Sequence, residues 1–397
     1  MELARLVLKK GEERRLRAGH LWVFSNEVDT ARTPIKGLEP GAPVRVEAAD
    51  GRFIGNGYGN PNSLICARLV SRDPEQFLDR SLLVHRLKVA RSLRERFFDQ
   101  PYYRLVYGEA DLLPGLVVDR YGDLLVAQLN TAGMEAVKED VVAALEKVVK
   151  PRGVLLRNDG GARTLEGLEA YVATAAGEVP ERAEVEEGGA VFTVPLYSGQ
   201  KTGWFYDQRA NRDALAGHCA GARVLDVFSY LGGWGIRAAL AGAEEVVCVE
   251  SSAGALERIG ENAERNGVVD RVSGLHGDAF DALEALRQDQ ERFDVVVLDP
   301  PAFIKRKREV KSGLEGYRRL NQAGMQLLGK DGLLVSASCS YHLQAEVHRD
   351  LLRRTARHLD RHLQIVGQGH QAPDHPVHPA VPETEYLKCL TCRVALF

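Results

Sequence analysis

Val224-Leu225-Asp226-Val227-Phe228-Ser229-Tyr230-Leu231-Gly232-Gly233-Trp234-Gly235 is the stretch on which the fold turns. The apolar run Arg223 to Phe228 reads as a buried strand, and a glycine-bearing turn delivers the chain into a helix over Gly235 to Ala241. Glycines let a backbone approach a ligand closely at the first strand-to-helix turn of an open sheet. Downstream, strands at 245–249, 272–276, 293–298 and 332–337 alternate with helices at 254–266, 280–288, 317–328 and 346–359. Such alternation implies a parallel sheet with crossover helices. Two closing strands, at 363–366 and 387–397, have no helix between them and imply an antiparallel hairpin at the sheet edge.

Acids stand at three successive strand ends. Asp226 lies inside the first strand, Glu250 ends the second, 18 residues after Gly232, and Asp278 follows the third. An acid at the second position commonly binds ribose hydroxyls, Asp278 suits an adenine amino group, and Asp226 suits a ligand carrying sulfonium and ammonium charges. A glycine turn alone is common to dinucleotide and S-adenosylmethionine (SAM) enzymes, but the regular G-x-G-x-x-G is absent, which favours SAM. Ser229, Tyr230 and Gly232 in the turn join the candidate contacts. The polar and aromatic run Gly199 to Arg212 reads equally as a lid over that pocket or as a solvated helix start capped by Asp207.

Catalytic groups gather beyond the carboxyl ends of parallel strands. Two segments sit there: Leu298-Asp299-Pro300-Pro301-Ala302-Phe303 and Ser336-Ala337-Ser338-Cys339-Ser340. A carboxylate, a proline-stiffened turn and a thiol at one rim are the parts needed to methylate carbon 5 of a cytosine. A thiolate adding to carbon 6 makes carbon 5 nucleophilic toward a methyl donor, which is covalent catalysis. Such a thiol must be accessible and activated by a cation or a helix N-terminus. Cys339 fills that role, with Asp299 holding or protonating the far edge of the ring. A base in a duplex cannot reach such a site, so it is single-stranded or flipped out, with Phe303 or Tyr230 available for stacking. Lys305, Arg306 and Lys307 begin a basic cluster on the same rim and, with Lys201 and Arg209, are candidates for holding phosphates in a salt-sensitive manner. Besides an NAD oxidoreductase, which the glycine turn alone would also allow, two rivals stand beside this reading. One is an amino-group methyltransferase, which also uses Asp-Pro-Pro-aromatic but needs no thiol. The other is a non-catalytic RNA-binding or assembly protein with a vestigial SAM fold.

Ahead of residue 177 the texture differs. Residues 1–72 alternate short strand-like pieces with turns and read as a small β-barrel-like domain; residues 73–176 read as α+β. The acid-rich 177–192 reads as a linker or hairpin, and 193–397 as the α/β domain. The net charge of −3 excludes only a uniformly basic nucleic-acid binder. No run approaches the roughly 20 apolar residues of a membrane span, and the first residues lack a secretory apolar core, so a cytoplasmic protein is expected. Six scattered cysteines make no disulfide framework, and the Cys389-x-x-Cys392 pair lies in a terminal strand and reads as structural.

A longer set of residues carries a resemblance: His20-Leu21-Trp22-Val23-Phe24, Gly108 to Asp119, Gln200-Lys201-Thr202-Gly203, Asp207-Gln208-Arg209, Asp226 to Tyr230, the Asp299 and Cys339 motifs, Asp374-His375-Pro376 and Tyr386-Leu387-Lys388. Together these resemble the bacterial 23S ribosomal RNA cytosine-5 methyltransferases, large-subunit methyltransferase I and its close relatives. The resemblance implies an N-terminal PUA domain, a central α+β domain and a C-terminal seven-stranded, Rossmann-like class I methyltransferase domain. It implies SAM as methyl donor without a metal, Gln208 among the SAM contacts, and a thiol nucleophile at Cys339. It also implies 23S rRNA as partner and no membrane, and leaves open both a large-subunit assembly intermediate and a homodimer. His370, His375 and His378 become structural in this light. Departures are Leu231 and Trp234 in place of the usual Thr and Phe, Glu250 in place of Asp, and Tyr206 in place of an aliphatic residue.

Overall fold

The computed structural model describes residues 3–396 and divides into two compact units. The first contains the chain up to Ala183, Pro195–Tyr206 and Pro373–Thr384; the second contains Glu184–Val194, Asp207–Ala372 and the chain from Glu385. No helix among the described residues is long and apolar enough to cross a membrane.

Two five-stranded sheets build the first unit. One comprises β1 (Ala4–Val7), β2 (Trp22–Phe24), β3 (Pro43–Glu47), β4 (Phe53–Gly59) and β5 (Ile65–Ser71) in the order β1-β3-β4-β5-β2, with the short helix α1 (Glu13–Arg17). Leu6, Leu16, Val23, Val44 and Leu69 fill its core. The other comprises β6 (Tyr102–Tyr107), β7 (Leu116–Tyr121), β8 (Leu124–Leu129), β9 (Gly153–Asn158) and β10 (Tyr171–Gly177) in the order β10-β9-β8-β7-β6. Helices α2 (Arg80–Arg94) and α4 (Lys138–Val149) pack on it through Leu83, Leu87, Val141 and Leu145; α3 (Ala132–Ala136) and α5 (Ala162–Leu165) are short. A buried ion pair ties neighbouring strands, with the Arg104 Nε and Nη2 each 2.8 Å from a carboxylate oxygen of Asp119.

The chain returns to this unit twice. Residues 195–206 bring in Trp204 and Tyr206, both fully buried, and the Tyr206 hydroxyl donates to the Arg120 carbonyl. Residues 373–384 bring in Asp374, whose carboxylate accepts from the Arg104 amide (2.9 Å) and whose carbonyl accepts from Arg94 (2.7 Å). The expected continuous block 193–397 therefore departs from the structure at two places. His375 lies on Asp374 (2.9 Å), and the His378 Nδ1 accepts from the Ala380 amide, both as packing groups.

The second unit takes in most of a hairpin, β11 (Arg182–Glu187) and β12 (Ala190–Pro195), in the acid-rich run read as a linker or hairpin. Alternate residues Ala183, Val185 and Glu187 point inward. Glu187 is fully buried because three guanidiniums meet its carboxylate: Arg212 at 2.5 Å, Arg237 at 3.4 Å and Arg209 at 3.5 Å. The main sheet holds β13 (Arg223–Val227), β14 (Glu245–Glu250), β15 (Val272–His276), β16 (Phe293–Leu298), β17 (Leu328–Ser338), β18 (His362–Gly369) and β19 (Lys388–Ala395). Their order is β15-β14-β13-β16-β17-β19-β18. Strands β13 to β17 run parallel to their neighbours, whereas β19 is antiparallel to both β17 and β18. The two closing strands pair antiparallel at the sheet edge, as expected, with β19 on the inner side against β17 and β18 outermost. Burial explains the choice, since β19 is mostly buried and β18 alternates half-buried with exposed. Helices α6 (Arg209–Ala216), α7 (Gly233–Leu240), α8 (Ala253–Arg265), α9 (Ala279–Gln288), α10 (Val310–Leu327) and α11 (Ala345–His358) complete the unit.

A carboxylate shared by buried guanidiniums leaves uncompensated charge when it is removed. Glu187→Ala should lower the unfolding free energy by about 3–5 kcal/mol, read from urea denaturation; a change below about 1 kcal/mol means the cluster is solvated.

Candidate active site

Asp226 sits near the carboxyl end of β13 with no exposed surface. Its Oδ2 accepts from the Gly235 amide (3.0 Å) in the first turn of α7, while its Oδ1, equally buried, has no hydrogen-bond partner among the described residues. Burial pushes its carboxyl up to about 7, partly opposed by the Gly235 amide and reinforced by the charge of Asp299. A half-satisfied buried carboxylate is a place for a cation. Position 235 has to be glycine, because a Cβ there would lie 2.6 Å from the Cys248 sulfur and 3.3 Å from Asp226.

The turn after β13 is contorted. Phe228, Tyr230 and Gly232 all have positive φ, at 67°, 52° and 81°. For two aromatic residues this is an outlying conformation that surrounding structure must impose. Glu250 holds Tyr230 there, accepting its amide on Oε2 (2.9 Å) and the Ser252 amide on Oε1 (2.8 Å), while the Phe228 amide donates to the Val249 carbonyl (3.1 Å). Ser229 is spent internally, its hydroxyl donating to the Asp226 carbonyl (2.7 Å). Asp278 is exposed and caps α9 through the Phe280 amide (2.8 Å). The three acids therefore lie at the ends of three adjacent strands, in the order the sequence suggested.

Asp299 follows β16 and is clamped by two donors. Gln208 Nε2 reaches Oδ1 (2.8 Å) and the Trp234 indole reaches Oδ2 (3.1 Å), while Asn211 in turn holds the Gln208 carbonyl (2.7 Å). Burial raises its carboxyl above the ordinary range, and the Trp234 bond pulls it back. The indole is therefore a site group that sequence reading passed over as a departure. Asp207 is not a helix cap: its carboxylate accepts from the Tyr386 hydroxyl (2.5 Å), and its carbonyl from the Ala372 amide (2.9 Å).

The two motifs opened by Asp299 and Ser336 meet. Parallel pairing sets Leu298 against Ser336, so the loops leave the sheet side by side. The half-buried Cys339 thiol stands 3.9 Å from the Pro300 carbonyl, and Ser340 accepts the Ile304 amide (3.1 Å). The serines flanking Cys339 share one phenol: Ser338 Oγ donates to the Tyr317 hydroxyl (2.8 Å), and the same hydroxyl lies 2.8 Å from Ser340 Oγ. Tyr317, from α10, has no motif around it that sequence reading could use. Lys388 Nζ donates to the Ser340 carbonyl (2.6 Å) and the Tyr386 carbonyl (2.7 Å).

The proposed substrate residues divide. Phe303 is half-buried with its ring 4.8 Å from that of Tyr317, so part of its surface packs on α10. Lys305, Arg306 and Lys307 are exposed, and the basic run continues with Arg308 and Lys311 into a groove of about 730 Å³ between α10 and α11. Arg209 is a correction: its guanidinium joins the Glu187 cluster and is only 13% exposed, so it is not held out for a phosphate. Lys201 belongs to the first unit, with Nζ 4.2 Å above the Phe205 ring. Cys389 and Cys392 are three apart on β19, hence on opposite faces, and burial raises both thiols.

Known proteins match this architecture. A PUA-like domain family matches residues 6–72, and an S-adenosylmethionine-dependent methyltransferase family matches residues 169–393. The ribosomal RNA large subunit methyltransferase I of Erwinia tasmaniensis is 35% identical over 395 residues, covering 98% of this chain and 99% of that one. The protein of the same name from Aeromonas salmonicida is 36% identical over 394 residues, with 98% of each chain covered. The crystal structure of SMU.776 complexed with SAH superposes with a TM-score of 0.85 over 98% of this chain and all of that one, at 22% identity, and so shares the fold. The chain belongs to the ribosomal RNA large subunit methyltransferase I family of SAM-dependent methyltransferases.

Proposed function

We propose that this protein methylates carbon 5 of a cytosine in 23S ribosomal RNA, with Cys339 adding to carbon 6. The observation that carries the reading is the meeting of the Cys339 thiol with the Asp299-Pro300-Pro301 turn, 3.9 Å from sulfur to the Pro300 carbonyl. Methylation of an exocyclic nitrogen needs no thiol at that place. The relatives' name supplies large-subunit rRNA as the substrate class.

SAM supplies an electrophilic methyl group when bound. Asp226 would hold its cationic end, Glu250 its ribose and Asp278 its adenine, with Gly232 and Gly235 giving room and Tyr230 and Ser229 shaping the turn. Asp299, fixed by Gln208 and Trp234, orients the edge of the base. Cys339 forms the bond to carbon 6, carbon 5 takes the methyl group, and loss of the carbon-5 proton to solvent releases the sulfur and restores the ring double bond. Phe303, half-buried, stacks on the base, and Lys305, Arg306 and Lys307 hold phosphates.

Cys339→Ala should lower 5-methylcytosine formation by about a thousandfold or more while keeping SAM affinity, read by mass spectrometry of 23S rRNA fragments. Full retention of 5-methylcytosine would remove the covalent mechanism, and N-methylcytosine in its place would favour the amino-group alternative.

The Asp226 carboxyl gives SAM binding a pH dependence of known sign. The ligand's cation requires the carboxylate, and protons compete for it below about 7. Affinity should therefore fall as pH drops through about 7, approaching tenfold per unit, with one proton released per SAM bound on the acid side. Calorimetry in buffers of different ionisation enthalpy reads this directly, and Asp226→Asn should bind weakly with a flat profile.

Replacing Lys305, Arg306 and Lys307 together with alanine should weaken RNA binding and reduce the slope of log affinity against log salt by about 2, at roughly 0.7 per phosphate contact for single strands. An unchanged slope places the phosphates elsewhere.

A further inference from the structure

The Tyr386-Leu387-Lys388 segment has no role in the chemistry described so far. Antiparallel pairing of β17 with β19 sets Lys388 opposite Ser338, the residue before Cys339. From there its Nζ donates to the carbonyl of Ser340, the residue after Cys339, at 2.6 Å. A second bond, to the Tyr386 carbonyl at 2.7 Å, fixes the ammonium from its own strand. The side chain thus reaches from opposite Ser338 to the carbonyl after Cys339, a segment whose Ser338 and Ser340 hydroxyls both bond the Tyr317 hydroxyl.

Charges around this point are few. Burial lowers Lys388 to about 8, opposed by its attraction to Cys339 and to Glu385. From α11, His348 is buried, lowered to about 4 and bonded to Ser336, so it is neutral at physiological pH. From α10, Tyr317 is raised by burial and stays a neutral phenol. Cys389, next on β19, is likewise raised and stays a thiol. Asp299 is turned toward Gln208 and Trp234. A cation fixed beside a thiol favours its ionised form.

We infer that Lys388 is the positioning residue of Cys339, its ammonium fixed across the Ser338–Ser340 segment as the counter-charge of the thiolate. This rests on the reading of Cys339 as the nucleophile. Lys388 acts as the ammonium and passes no proton on; the thiol proton leaves to solvent, and the sulfur lone pair so exposed is the one that bonds to carbon 6. The backbone bonds to Ser340 and Tyr386 explain why a long, flexible side chain serves: both ends are held, so the charge does not swing into water.

The test separates charge from hydrogen bonding. Lys388→Gln retains an N–H donor for the two carbonyls without charge, Lys388→Arg retains the charge, and Lys388→Met removes both should the Gln variant fail to fold. The readout is the rate of Cys339 alkylation by iodoacetamide against pH, followed by peptide mass spectrometry on the full chain without RNA. The five other cysteines are buried and serve as slow internal controls. In Lys388→Gln or Lys388→Met the pH of half-maximal alkylation should rise by about one unit or more, with the methylation optimum displaced alkaline and SAM affinity unchanged. Lys388→Arg should restore most of both. An unmoved alkylation profile in the uncharged variants overturns the assignment. Failure of the underlying reading looks different, because full methylation by Cys339→Ala would dismiss the nucleophile whatever the alkylation profile shows.

Discussion

One carboxyl group, buried at the end of β13 and only half satisfied, governs the arrangement of the catalytic unit. Asp226 gives one oxygen to the Gly235 amide and keeps the other unpartnered among the described residues. A carboxyl pushed from its ordinary range to about 7 works against folding once it ionises. The sign follows from linkage: the unfolded chain gives up this proton first, so stability falls as pH rises from about 4 and levels off above about 7, by roughly 4 kcal/mol at this site. A bound cation reverses that cost. The surrounding turn carries strain of its own, with Phe228 and Tyr230 at positive φ and Tyr230 held there by Glu250.

A second arrangement depends on strand register. Leu298 faces Ser336 across β16 and β17; β16 ends there in the Asp-Pro-Pro loop, and β17 runs two residues further before the Cys339 loop. Prolines stiffen the first loop; the Tyr317 phenol clasps the second. Asp299 and Cys339 thereby gain fixed positions by unrelated means, one through indole and amide donors, the other through hydroxyls. Substitution of Gln208 or Trp234 acts on Asp299 without touching the Cys339 loop.

The repeating βα units were legible because buried parallel strands carry nearly continuous apolar runs, and Asp226, Glu250 and Asp278 were legible because acids interrupt those runs at their ends. Other features escaped for a shared physical reason: their side chains find partners far along the chain. Glu187 turns an acid-rich run into a strand only because Arg209, Arg212 and Arg237 wait for it. Arg104 lies buried in β6 only because Asp119 faces it from β7. Arg209 looked like a phosphate ligand because nothing local shows its pairing with Glu187. Insertion of β19 was hidden too, since an apolar terminal strand fits an edge and an interior slot equally well until β18 proves too polar for the interior.

Environment, more than motif, separates the cysteines. Cys248 lies under α7 against Asp226, fully buried and raised well above the usual thiol range. Cys389 and Cys392 sit on opposite faces of an interior strand, and burial holds their protons on. Each is a small apolar group that chemistry does not reach. Cys339 differs by standing one residue past a strand end, half-buried, where a loop serine, a phenol and a lysine converge. Among the six cysteines it alone is half-buried, and the lysine and phenol are bonded to the residues on either side of it. The fold, shared with proteins only 22% identical, provides the strand ends; what is done at this one depends on which side chains are pinned around its sulfur.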